Sequence, residues 1–64
     1  MYGTIARMNQ NGFCFITCPG RPDVFCHASN LEDLAFNDSL VSRQVEFEIE
    51  VTDRGPRAVR VRPA

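Results

Sequence analysis

The sequence predicts an all-β domain, a small sandwich or barrel, on three observations. Val45, Phe47, Ile49 and Val51 alternate with Glu46, Glu48 and Glu50, the period-two pattern of a half-buried strand. Two short segments, Gly12-Phe13-Cys14-Phe15-Ile16 and Asp23-Val24-Phe25-Cys26-His27-Ala28-Ser29, repeat that alternation with aromatic residues on one parity. Turn-forming clusters, rich in Gly, Pro, Asn and Asp, separate the apolar runs, and no run is long enough for a packed helix.

Taken in order, a first strand is expected from about Tyr2 to Asn9, ended by a turn through Gln10, Asn11 and Gly12. A second carries Phe13 to Thr17, and Cys18-Pro19-Gly20-Arg21-Pro22 turns the chain into a third from Asp23 to His27. Ser29-Asn30-Leu31-Glu32 then has the capping-box pattern, in which a serine and a glutamate satisfy free backbone donors. Asp33-Leu34-Ala35-Phe36 has room for one helical turn within a long loop before Asn37-Asp38-Ser39 stops it. The acidic-faced strand follows, and Thr52-Asp53-Arg54-Gly55-Pro56 turns into a last strand where Val59 and Val61 alternate with Arg60 and Arg62. Laid antiparallel to the acidic strand, Arg60 and Arg62 face its glutamates, a cross-strand pairing favoured over phosphate contact. Residues 1–64 are expected to form a single domain.

Composition excludes several function classes. A chain of 64 residues buries only roughly 60% of the surface its unfolded form exposes. The formal charge is −1 and every cation is an arginine, so no broad basic field announces phosphate-dominated binding. No apolar stretch approaches a membrane span and the N-terminus lacks signal-peptide character, so a cytoplasmic protein with no membrane partner is expected. The odd set Cys14, Cys18 and Cys26 matches no disulfide framework. Zinc fits poorly: there is no Cys-x-x-Cys pair, and neighbours Cys26 and His27 point to opposite faces of a strand. No metal or other cofactor is expected.

Parity places Phe13, Phe15, Phe25 and His27 on one face of a paired second and third strand, with Cys14, Ile16, Val24 and Cys26 on the other. Parity alone does not decide which face is the core. Three phenylalanines offer the larger buried area, whereas His27 would demand hydrogen-bond partners inside and the small aliphatic face demands none.

Gly3-Thr4-Ile5, Asn9, Gly12-Phe13-Cys14-Phe15-Ile16, Asp23-Val24-Phe25-Cys26-His27-Ala28-Ser29, Val45-Glu46-Phe47 and Gly55-Pro56-Arg57-Ala58 together resemble a cold-shock domain over nearly the whole chain. The resemblance implies a five-stranded antiparallel OB-fold barrel with a short helical turn in the long loop, binding single-stranded RNA or DNA. It implies that the aromatic side faces solvent, making Phe13, Phe15, Phe25 and His27 base-stacking residues. Arg7, Met8, Asn9, Phe36 and Arg54 join them as nucleic-acid-binding candidates. Phe36 has two readings, a platform-edge aromatic or an anchor of the long loop.

The chain departs from the family at Ala6-Arg7-Met8-Asn9, where Lys-Trp-Phe-Asn is usual, at Asn11 in place of a lysine, and at Ala28 in place of a phenylalanine. Arg7 can compensate in part, since a planar guanidinium stacks on bases and attracts phosphate. Met8 keeps apolar contact without an aromatic face.

RNA-chaperone or gene-expression roles follow from the resemblance. The alternative is an OB-fold protein-interaction module in which the altered face packs on another polypeptide or a second copy, with weak self-association as one form. An enzyme is not expected, because His27 lacks a nucleophile and orienting partner, and Ser29 reads as a helix cap.

Overall fold

The computed structural model describes Met1–Ala64. Five strands, β1 (Tyr2–Asn9), β2 (Phe13–Cys18), β3 (Arg21–His27), β4 (Gln44–Thr52) and β5 (Gly55–Pro63), close into a barrel in the order β1-β2-β3-β5-β4. The architecture is the expected OB-type barrel. Its closing pair, however, is parallel: Phe25 stands beside Arg57 and Cys26 beside Ala58. The long loop between β3 and β4 carries the chain across the barrel, so β5 meets β3 running the same way.

Inside lie Ile5, Cys14, Ile16, Val24, Cys26, Leu40, Val45, Phe47, Ala58 and Val61, all fully or almost fully buried, and no polar or charged residue is buried. Phe47 is the largest of these side chains. Gly3 lets β1 approach β2 closely, since a Cβ there would sit 2.6 Å from Ile16 Cγ2 and 2.9 Å from the Thr17 carbonyl oxygen.

Three irregularities shape the barrel. The β1–β2 register shifts between Ile5 and Arg7, the β2–β3 register between Ile16 and Cys18, and the β4–β5 register between Glu46 and Glu48. The last places an extra residue in β5: Glu46 pairs with Arg62 but Glu48 with Val59. Arg60 sits there at a φ of 50°, and Ala58 and Val59 are buried in succession. Such bulges increase the local bend that closure of a small barrel needs.

The arginine pairing on the outer face of β4 and β5 is as expected and one pair larger. Arg60 grips Glu48 with two bonds of 2.6 Å, Arg62 reaches Glu46 at 3.2 Å, and Arg57 adds a pair with Glu50 at 2.6 Å. The bidentate Arg60 guanidinium holds the Glu48 carboxyl below its ordinary range.

Three local expectations are corrected. The helical turn expected at 33–36 is absent; the loop instead holds two 3-10 turns, Ala28–Asn30 and Asp38–Leu40. Ser29 is not the cap, because His27 precedes the first turn and its Nδ1 accepts the Ser29 N–H at 3.1 Å, while Asn37 caps the second. Val51 is 82% exposed, because β4 runs past the edge of the core before its hairpin with β5. No helix of the chain is long and apolar enough to cross a membrane.

Candidate nucleic-acid interface

The β2–β3 ladder decides what parity left open. Phe13 pairs with His27, Cys14 with Cys26, Phe15 with Phe25 and Ile16 with Val24. Cys14, Ile16, Val24 and Cys26 are the buried set, so the three phenyl rings and His27 stand on the outside of the barrel. All three cysteines are free and buried. A hydrogen bond with Cys14, and then burial, push the Cys26 thiol up.

The rings form one cluster. Phe13 and Phe25 lie 5.5 Å apart at a 40° tilt, and Phe15 meets each of them edge to face, 6.1 Å from Phe13 and 6.0 Å from Phe25. These are favourable aromatic geometries, and each ring stays half-buried, outside the core. His27 is exposed beside Phe13, and its Nδ1 lies 2.9 Å from Ser29 Oγ as well as accepting the Ser29 N–H. With Nδ1 accepting, the neutral ring carries its proton on Nε2, and two contacts fix its orientation.

The remaining candidates divide. Arg7 pairs with Phe15 across β1 and β2, and its guanidinium carbon lies 4.6 Å from the ring centroid. Arg54 lies at the β4–β5 turn, lining with Phe25, Asp53, Pro56 and Arg57 a cleft of ≈ 620 Å³ beside the rings. The ion pairs of the chain use Arg57, Arg60 and Arg62, which leaves Arg7 and Arg54 as the uncompensated cations flanking the aromatic cluster.

Asn9 lies at the rim opposite Phe13, and its side-chain oxygen accepts the Asn11 N–H at 2.8 Å to build the β1–β2 turn. Met8 is placed differently from expectation: opposite Cys14, it packs half-buried against the core rather than joining the rings. Phe36 also packs half-buried against the core, a contact that fits its loop-anchoring reading. Sequence reasoning singled out Arg54 but not the cleft around it; the Thr52–Pro56 turn is visible in the sequence, but its position beside Phe25 depends on the parallel β3–β5 pairing.

Fold and site together define a small closed OB-type barrel with solvent-facing aromatics on adjacent strands. Residues 1–64 match the family model described as the 'Cold-shock' DNA-binding domain, and the chain belongs to the cold-shock domain family, a family of nucleic-acid-binding domains. It is 45% identical over 53 residues to the major cold shock protein CspA of Bacillus cereus, covering 83% of this chain and 79% of that one. It is 42% identical over 60 residues to the cold shock-like protein CspLB of Listeria monocytogenes, covering 92% and 91% of the two chains. Among solved structures it resembles drosophila Unr CSD456, with a TM-score of 0.78 and 25% identity; the match covers 98% of this chain and only 26% of that one.

Proposed function

We propose that the protein binds single-stranded RNA or DNA by stacking unpaired bases on Phe13, Phe15, Phe25 and His27, acting as an RNA chaperone or gene-expression regulator of the cold-shock type. The observation that carries this reading is the cluster of phenyl rings on the outside of the barrel, backed by the small buried face of the same strands. These rings pack on one another yet lie outside the buried core, and each base stacked on an aromatic contributes ~1–3 kcal/mol.

Arg7 and Arg54 supply the local positive charge. Because aromatic faces accept any base, sequence preference is weak, and by mass action the protein keeps bound segments single-stranded. No step needs ATP or a metal.

Anisotropy of a labelled pyrimidine-rich strand, measured over a range of salt, tests the reading. With two flanking cations the log-log slope has a magnitude of about 0.7 per neutralised phosphate, one or two phosphates in all. A steep slope, or no binding at low salt, contradicts it.

A further inference from the structure

The outward face of β1 and β2 does not end at Arg7 and Phe15. Thr4 pairs with Thr17, on the same side of the sheet as Arg7 and Phe15, and Tyr2 follows on the parity of Thr4. Thr17 lies two residues beyond Phe15, roughly 7 Å along the strand. There the surface dips into a second cleft of ≈ 250 Å³, lined by Tyr2, Thr4, Thr17, Pro19 and Gln44. Tyr2 is 66% exposed, so its side chain is open to a ligand.

We propose that a bound single strand continues past Arg7 and Phe15 into a further nucleotide subsite formed by Tyr2, Thr4, Thr17 and Gln44. The inference rests on the nucleic-acid reading above and extends it to surface that reading does not use.

The chemistry suits a nucleotide. Tyr2 offers a face for stacking. The Thr4 and Thr17 hydroxyls and the Gln44 amide combine donors and acceptors that suit the edge of a base or a sugar hydroxyl. The Thr17 hydroxyl already donates to Asp23 Oδ1 at 3.1 Å, which places a carboxylate acceptor beside the track for a base amino group. Arg21, whose guanidinium reaches Met1 Sδ at 3.2 Å and which joins none of the ion pairs, supplies positive charge at this end.

Tyr2 is the one tyrosine of a chain without tryptophan, so its emission reports this subsite and no other. The test titrates the full chain with oligouridylates of about four and about eight nucleotides, the range one OB fold occupies. Anisotropy of labelled strands measures binding while tyrosine emission is recorded in parallel. The longer strand is expected to quench Tyr2 more strongly than the shorter. Tyr2→Ala is expected to weaken the longer strand at least about fivefold while sparing the shorter, and Tyr2→Phe to restore it. Binding of the longer strand with unchanged emission and unchanged affinity in Tyr2→Ala overturns the subsite and leaves the platform standing. Absence of binding by either strand overturns both.

Discussion

The guanidinium of Arg7 lies over the ring of Phe15, its central carbon 4.6 Å from the ring centroid, and the two residues are direct partners across β1 and β2. Since Phe13 and Phe25 meet Phe15 edge to face, Arg7 covers an approach to the ring that the other aromatics leave open. The platform therefore combines three phenyl rings, an imidazole and a cation held over one of the rings.

Substitution of Arg7 separates its charge from its shape. Arg7→Lys keeps the charge but loses the planar surface, and is expected to weaken binding several-fold with the salt slope unchanged. Arg7→Ala is expected to weaken binding further and to reduce the slope by about 0.7 if the guanidinium also meets a phosphate. Neither should destabilise the fold by more than about 1 kcal/mol, the scale of an exposed cation–π contact. Oligonucleotide anisotropy and urea unfolding measure the two effects.

Outer and inner phenylalanines should respond in opposite ways. Phe13→Ala and Phe25→Ala are expected to cost ~1–3 kcal/mol of binding energy each while the barrel still folds. Phe47→Ala, deep in the core, is expected to cost ~3–5 kcal/mol of stability, a large share of what so small a domain has. Thermal unfolding beside binding isotherms distinguishes them, and a Phe13→Ala variant that unfolds while binding normally when folded contradicts the assignment.

Gly3→Ala is expected to destabilise by ~1–3 kcal/mol, because its new methyl group would meet Ile16 and the Thr17 carbonyl at impossible distances. Chemical denaturation would show this as a lower midpoint with an unchanged slope.

Acid should loosen the β4–β5 face. The Arg60 hydrogen bonds lower the Glu48 carboxyl below its unfolded value. Its contribution to stability is therefore complete above the unfolded value and is lost as pH falls through the depressed folded one. In a pH series of melting temperatures Glu48→Gln is expected to lose most at neutral pH and to converge on the parent in acid; a constant difference throughout contradicts this.

Much of the fold was legible because strand alternation and turn chemistry agree locally. The acidic β4 pattern, the two aromatic segments and the Gly-Pro turns each point to one element. What remained hidden depends on single-residue shifts and on tertiary packing. Strict alternation from Ile5 would put Arg7 on the core face; the shift in register between them turns Arg7 out beside Phe15 and Met8 in against the core. His27 rather than Ser29 caps the first turn because its imidazole nitrogen reaches the Ser29 N–H, a competition no capping pattern expresses. Phe36 packs on the core because the long loop folds back, and the parallel β3–β5 contact arises from the same crossing. At the platform, parity defined two faces but not their direction, which the resemblance supplied.

The central claim, that unpaired bases lie on the outward rings, is tested most directly by a two-dimensional NMR titration with a short pyrimidine-rich single strand. Saturable shifts are expected to concentrate on Phe13, Phe15, Phe25 and His27 and their strand neighbours, with Arg7 and Arg54 at the margins. Saturation of binding with those resonances unmoved would contradict it.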